Sequence, residues 1–263
     1  MNREMDWTGT TGIVTGAGSG IGAAIAALLV ELGADVVGVD LIADGLDRTA
    51  ASSAGGVGRF QGVLGDVTVS DVQQQALAAA APKGRLDFLV NNAAVFLLAG
   101  LHATHEQWTR TLAVNLVAVA EFTARSVPLL AKSPRASVVN IASISAHIAQ
   151  ADRWTYNSAK AGVVELTRCQ ALDLTPLRVN SVSPGWIWTE VLDEASGGDR
   201  AAWEPVWGGY CPEGRCGEPR EVAMAVEFLL SPRASFITGV DLPVDGGYLA
   251  TSSEGAAVLA LGK

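Results

Sequence analysis

Thr11-Gly12-Ile13-Val14-Thr15-Gly16-Ala17-Gly18-Ser19-Gly20-Ile21-Gly22 is the stretch whose reading decides the fold. Thr11 to Thr15 has the length and apolar character of a short buried strand. It runs straight into a glycine-rich turn with the spacing GxxxGxG, read from Gly16. An Ala/Leu-rich helix continues to Leu32, and Gly33 follows as its stop. Asp35 to Asp40 reads as a second strand ending in an acid. The unit is β-turn-α-β, with two parallel strands joined by a helix.

The same alternation extends outward along the chain. Gly58 to Leu64 is strand-like and leads to Asp66-Val67. Ser70 and Gln73 have capping-box spacing for a helix reaching about Ala80. Leu86 to Val90 is a buried strand that ends in Asn91-Asn92-Ala93-Ala94. Thr104 and Gln107 open a longer helix to about Leu130, with Asn115, a weak helix former, in its middle. Val138 to Ala142 is a β-branched run, and Trp154 to Leu174 is periodic enough for a helix. Arg178 to Ser183 gives a sixth strand before Pro184-Gly185, and Trp186 to Gly217 has no period. Glu218-Pro219 starts a helix to Leu230. Val240 to Val244 is the last strand, closed by Asp245-Gly246-Gly247. No linker, repeat or low-complexity tract interrupts this order. The expected architecture is α/β: a single domain over residues 1–263 holding a Rossmann-type, doubly wound, parallel seven-stranded sheet with helices on both faces. Ligands of such sheets bind at the carboxyl ends of the strands, where Gly16, Asp40, Asp66, Asn91, Ser143 and Pro184 all fall.

Two groups of residues at those ends carry chemistry. Glycines let the backbone approach a diphosphate at a helix N-terminus, where free N–H groups and the helix dipole favour negative charge. Asp40 lies where a carboxylate can bind both ribose hydroxyls of an adenosine. It would repel a phosphate there, so the pattern favours NAD over NADP. Further along, Tyr156 and Lys160 lie one helical turn apart on one face. Ser143, at the end of the preceding strand, can point its hydroxyl at the same place. A Tyr ionises near pH about 10. A cation held close favours the phenolate and brings the phenol toward the working range of an acid/base.

Composition narrows the alternatives. Forty-nine per cent of the 263 residues are hydrophobic, ample for a buried core, and the net charge of −9 makes nucleic acid or an anionic membrane an improbable partner. The N-terminus lacks the apolar core of a signal peptide. The longest apolar run, Ala23 to Val30, is far short of a membrane span. Cys169, Cys211 and Cys216 form neither a disulfide framework nor a metal pattern, and the three histidines have no ligand spacing, so no metal is expected. A reducing, cytoplasmic setting fits this usage.

Taken together, Thr15 to Gly22, Asp66-Val67, Asn91 to Ala94, Asn115, Ser143, Tyr156-x-x-x-Lys160, Pro184-Gly185 and Asp245-Gly246-Gly247 resemble the short-chain dehydrogenase/reductase family, to about Tyr248. The resemblance implies a tetrad of Asn115, Ser143, Tyr156 and Lys160. In it Tyr156 is the acid/base and Ser143 holds the substrate oxygen. Lys160 binds the nicotinamide ribose and lowers the Tyr156 pKa, and Asn115 orders a water leading to solvent. The resemblance further places the cofactor against Gly16, Ser19, Gly20, Ile21 and Gly22, with Asp40, Asp66 and Val67 at the adenosine end. Asn92 and Ala93 sit near the ribose, and Pro184, Gly185, Ile187 and Thr189 near the nicotinamide. Ala94 replaces the family's commoner glycine, the link Leu174 to Arg178 is short, and the tail 249–263 extends past the usual end.

The segment 186–217 falls where the family has its substrate lid, with Gly197-Gly198 and Gly208-Gly209 as candidate hinges. Trp186, Trp188, Trp203 and Trp207 lie in it, while Phe96 and Trp154 flank the site elsewhere. Aromatic walls imply an apolar, cyclic or aromatic secondary alcohol, including the dihydrodiol class. Ser145 and Gln150 are further candidates for substrate contact; His147 reads better as a polar loop residue. The family's usual tetramer forms through the helices of Asn115 and Tyr156, and the apolar Val119, Phe122 and Val163 agree with a homo-oligomer, dimer or tetramer. Two other readings remain open at this point. One is an NADPH-dependent carbonyl reductase of the 3-oxoacyl or keto-ester type, and the other is a cofactor-sensing protein without catalysis.

Overall fold

A computed structural model of the protein describes residues 6–82, 84–97 and 99–251. Most of the 249–263 tail lies outside the described residues. The glycine turn separates strand β1 (Thr11–Thr15) from helix α1 (Gly20–Glu31). β2 (Asp35–Asp40), α2 (Ala43–Ser53), β3 (Arg59–Leu64) and α3 (Ser70–Ala80) complete the first half. β4 (Phe88–Asn91) leads into a long helix made of α4 (His105–Leu112), a π-helical turn (Ala113–Val117) and α5 (Ala118–Leu130). β5 (Ser137–Ile141), α6 (Trp154–Asp173) and β6 (Arg178–Pro184) follow. The chain then forms α7 (Glu190–Ala195), α8 (Arg200–Gly208), α9 (Pro219–Leu230) and β7 (Asp241–Val244).

All seven strands are parallel, in the order β3-β2-β1-β4-β5-β6-β7. Chain order reverses between β1 and β4, and that reversal leaves a crevice at the carboxyl edge. Successive residues of a strand face opposite sides, so each face has its own core. Val14, Phe88, Val139 and Val182 pack with Ile25 and Leu29 of α1 and Val222 and Val226 of α9. Ile13, Leu89 and Val138 pack with Leu77 of α3 and Phe122 of α5. This is the doubly wound sheet that the alternation implies.

Several local expectations are corrected. Ser70 and Gln73 form no capping box: Val69 is the N-cap, and the buried Gln73 amide donates to the Val67 carbonyl at 2.7 Å. The Thr104/Gln107 box does form, with bonds of 3.2 and 2.9 Å. The segment 186–217 is not without period, because α7 and α8 lie in it; helices of six and nine residues are too short to register as a repeat. Val119, Phe122 and Val163 are buried in this chain's own core, so they offer nothing to a second subunit. Asn115 sits in the π-helical turn, which accounts for a weak helix former inside a long helix. The continuous helix His105–Leu130 has the length and hydropathy of a membrane span. Its Val114, Ala118, Phe122 and Leu130 pack against the sheet, as in a core helix.

A buried amide ladder ties the centre of the sheet to its helices. Asn91 Nδ2 donates to Asn140 Oδ1 at 2.9 Å and to Thr123 Oγ1 at 3.0 Å. Asn140 Nδ2 in turn donates to Thr167 Oγ1 and Gln170 Oε1, each at 3.0 Å. These bonds hold β4 and β5 against α5 and α6, directly beneath the carboxyl-end residues that follow each strand. Replacing Asn140 by the similarly sized Leu orphans an amide donor and an amide acceptor in the core. Urea unfolding of Asn140→Leu is therefore expected to show a loss of about 2–4 kcal/mol.

Candidate active site

A cavity of about 680 Å³ opens along the carboxyl ends of β1, β2, β4, β5 and β6. Gly16, Ser19, Gly20 and Ile21 line it from the first turn. Gly16 and Gly20 have φ of +65° and +49°, a region that side chains resist. Gly22 does not line the cavity. A Cβ there would stand 2.0 Å from the Gly16 carbonyl oxygen, so its bare Cα lets α1 close against the turn. Ser19, the N-cap of α1, makes no side-chain cap bond, and the first turn of α1 holds no acid. The dipole and N–H groups of this helix start are thus left for an anion.

Asp40 faces the same turn. Its Oδ2 accepts from the Gly18 amide at 2.8 Å and its Oδ1 from the Ile42 amide at 3.0 Å, which fixes the carboxylate at the end of β2. Asn92 braces the turn from β4, its Nδ2 donating to the carbonyls of Thr15 and Gly16 at 2.9 and 3.1 Å. Asp66, Val67, Ala93, Pro184, Gly185, Ile187 and Thr189 also line the cavity. Asp66 pairs with Arg110 at 2.8 Å and accepts from Thr68. A phosphate cradle and a carboxylate at the neighbouring strand end are the donor set that a nicotinamide dinucleotide requires, and these residues fit it.

At the other end of the cavity Ser143, Tyr156 and Lys160 come together. Ser143 is held by the Ser145 amide, which donates to its Oγ at 3.1 Å. Lys160 is 3% exposed; its Nζ donates to the Ile141 carbonyl at 2.7 Å and lies 5.7 Å from the Tyr156 ring centroid. Burial lowers the Lys160 pKa to about 8. Lys160 and a nicotinamide ring are together expected to make Tyr156 acidic; with Lys160 beside it and no cofactor, the phenol stays above its ordinary value. Protein atoms crowded around the partly buried phenol push its pKa up, and the Ser143 hydroxyl and the Arg153 charge pull it only partly back.

Asn115 does not line this cavity. It is fully buried, and its carboxamide accepts from the Val95 amide at 2.8 Å and donates to the Val95 carbonyl at 2.9 Å. Its side chain thereby braces the loop after β4. That loop carries Phe96, whose ring meets Tyr156 edge-on at 4.8 Å.

On the substrate side the cavity is lined by Phe96, Ser145, Gln150, Trp186 and Trp207. Ser145 Oγ donates to Gln150 Oε1 at 2.6 Å. Trp207 is the hub of an aromatic stack, with Trp186, Trp188 and Trp203 at centroid distances of 5.8, 5.6 and 5.1 Å. Trp188 is buried against Trp207 and does not line the cavity, so it supports Trp207 instead of facing the cavity. Trp203 and Trp154 are 41% and 52% exposed and also stand off the cavity wall. Trp154 projects outward because it precedes Tyr156 by two residues, and helix positions two apart face different ways. His147 bonds Asp241 at 2.8 Å, tying its loop to β7. The sequence reading missed Arg153 and Arg110, both of which line the cavity. Arg153 carries a signal in retrospect: it is a cation at the start of a helix, where acids are the favourable choice.

A family profile described as enoyl-(acyl carrier protein) reductase matches residues 16–249. The chain belongs to the short-chain dehydrogenase/reductase family. D-threitol dehydrogenase of Mycolicibacterium smegmatis is 37% identical, over 91% of this chain and 93% of its own. Cis-4-hydroxycyclohexanecarboxylate dehydrogenase of Sinomonas cyclohexanicum is 39% identical, over 90% and 96%. The crystal structure of a short-chain dehydrogenase/reductase from Brucella melitensis, of the glucose/ribitol dehydrogenase type, superposes with a TM-score of 0.85. It shares 34% identity and covers 92% of this chain and 98% of that one. As a short-chain dehydrogenase/reductase the protein is an oxidoreductase acting on CH–OH groups with a nicotinamide cofactor.

The desolvated Lys160 gives a stability test whose sign is fixed. Its pKa falls from the ordinary lysine value of 10.5 to about 8 in the fold, so between those values the unfolded chain binds more protons. Stability then rises with pH across that window, and the burial penalty is fully present below it. Compared with Lys160→Met, the wild type is expected to gain stability in urea unfolding between pH about 8 and about 10. A pH-independent difference between the two proteins would contradict the shift.

Proposed function

We propose that the protein oxidises an apolar cyclic secondary alcohol to the ketone, with NAD as its cofactor and Tyr156 as general base. The single observation that carries this reading is one continuous cavity with a glycine turn and Asp40 at one end and Ser143, Tyr156 and Lys160 at the other. NAD, when bound, supplies the acceptor for the hydride that leaves the carbinol carbon. The protein does the rest. Ser143 binds the alcohol oxygen and Tyr156 takes its proton as the C–H bond breaks. Lys160, anchored on Ile141 and 5.7 Å from the Tyr156 ring centroid, presents positive charge to the phenolate as it forms. Asn115 acts through the Val95 loop as a positioning residue and not by touching the reacting atoms.

Two features support the finer points. Asp40 occupies the end of β2, its charge is directed at the glycine turn by the Gly18 amide, and Leu41 follows where a phosphate-binding site would want a cation. Arg110 is neutralised by Asp66, so it offers no competing phosphate site. Phe96 meets Tyr156 edge-on and Trp186 and Trp207 line the same cavity, ring surface that suits a cyclic substrate better than a polyol chain. Of the two relatives, the one named for a hydroxycyclohexane acid is therefore the better guide to substrate shape. The Asp40 argument also weighs against the NADPH-dependent reductase of acyl or keto-ester substrates. The intact cluster of Ser143, Tyr156 and Lys160 weighs against a non-catalytic sensor.

The protein would act as a homo-oligomer in the cytoplasm. Val117, Leu172 and Phe236 are among the exposed apolar residues that a second copy could cover. A panel of cyclohexanols and short acyclic diols, scored by NADH and NADPH formation, tests the function. Cyclic alcohols with NAD should be turned over fastest, and Tyr156→Phe should cut kcat by about 100- to 10,000-fold. Preference for NADP, or for acyclic polar alcohols, would overturn the reading.

A further inference from the structure

Three cations line the cavity: Arg110, Lys160 and Arg153. The first is paired with Asp66 and the second is anchored on Ile141 beside the phenol. Arg153 has no such engagement. It is half-buried, and among the described residues no carboxylate lies within ion-pairing distance of it. Its Nη1 donates weakly to Gln150 Oε1 at 3.3 Å, and its guanidinium lies 5.0 Å from the Phe96 ring centroid.

Arg178 shows what this fold does with a half-buried arginine that has only a structural duty. Its guanidinium donates to the carbonyls of Leu229, Leu230, Ser231 and Ala234 at 2.6 to 3.2 Å, which leaves little donor capacity over. Burial depresses the pKa of both guanidiniums, but Arg153 keeps most of its five donors and, among the described residues, has gained no counter-charge for the water it has lost. Its position adds to the cost. It is the N-cap of α6, a helix with no acid in its first turn, so it stands at the positive end of the dipole. Ordinary stability selects against a cation there. An anion arriving from the cavity would relieve all three penalties.

The location says which anion. The diphosphate cradle is the glycine turn, at the other end of the cavity. Arg153 touches Phe96 and Gln150, and its charge is felt by Tyr156, so it belongs to the substrate end. We infer that Arg153 is a specificity-determining residue that binds a carboxylate carried by the alcohol substrate, with Gln150 and Phe96 holding its guanidinium flat against the wall. Planar, two-donor recognition of a carboxylate is what a guanidinium provides and an ammonium does not. The apolar rings hold the body of the substrate, Tyr156 and Ser143 its hydroxyl, and Arg153 its acid. The inference rests on the proposed alcohol oxidation and adds a charge to its substrate.

The test compares 4-hydroxycyclohexanecarboxylate with 4-methylcyclohexanol as substrates of the NAD-saturated protein. The acid is expected to have the higher kcat/KM by about 10- to 100-fold, the range of a charged hydrogen bond. In Arg153→Gln that ratio should fall to near one through KM, and Arg153→Lys should keep part of it. The ratio is the proper readout because any effect of the Arg153 charge on Tyr156 acts on both alcohols alike. Calorimetric titration of cyclohexanecarboxylate into the NAD-loaded wild type and Arg153→Gln reads the same contact without turnover. Binding should be lost in the variant. Equal kcat/KM for the two alcohols in the wild type, a ratio that survives Arg153→Gln, or cyclohexanecarboxylate binding that ignores the variant would each overturn the assignment. If cyclohexanecarboxylate binds through Arg153 but no cyclic alcohol is oxidised, the alcohol-oxidation reading fails and the Arg153 contact stands. If the neutral alcohol is oxidised and the acid gains nothing, the reverse holds.

Discussion

The burial of Lys160, and the crowding of protein atoms around a Tyr156 phenol that still borders the cavity, are the constraint on which the rest of the site depends. Each group is costly to charge where it sits. Burial raises the phenol and brings the ammonium down to about 8. An isolated phenol in such a place would be useless as a base near neutral pH. The surroundings work against that cost with a small set of fixed dipoles and charges: the Ile141 carbonyl on Lys160, the Ser143 hydroxyl and the Arg153 guanidinium on Tyr156. That crowding also makes every added charge count for more, so a cationic ring brought in by a bound nicotinamide would shift the phenol further than it could in water. A bound nicotinamide would then add a positive charge that the site's own residues do not supply.

That arrangement needs an edge rigid enough to keep five strand ends in register. The amide ladder of Asn91 and Asn140 and the two separate apolar cores provide it from below. The Asn115–Val95 pair and the Asn92 bonds to Thr15 and Gly16 provide it at the rim. The aromatic segment 186–217 is built differently. Trp207 contacts three other tryptophans, so much of the ring surface in 186–217 is structural, and only part of it meets the cavity.

Much of this was legible in the sequence, and the reasons are specific. The β-turn-α-β opening is legible because the glycine spacing, the following helix and the terminal Asp40 are local features with one common explanation. Tyr156 and Lys160 are legible because helical spacing of four needs no knowledge of distant parts. What depends on burial was not. The direction of the Tyr156 shift follows from how many atoms surround the phenol, which spacing does not report. Val119, Phe122 and Val163 read equally well as interface or core until the sheet is placed beneath them. The division of the tryptophans into lining and supporting rings depends on the packing of α7 and α8, helices too short to leave a period. Arg153 was overlooked because a single charge before a helix carries no pattern of its own, although its sign there is the wrong one for stability.

The most direct check on the central claim is the ionisation of Tyr156 itself, followed by tyrosine-ring NMR with Tyr156→Phe used to assign the signal. In the protein free of cofactor the phenol should titrate above the ordinary tyrosine value, and saturation with NAD should bring it down toward the working pH. A phenol that titrates normally in the free protein, or one that NAD leaves unmoved, would contradict the account.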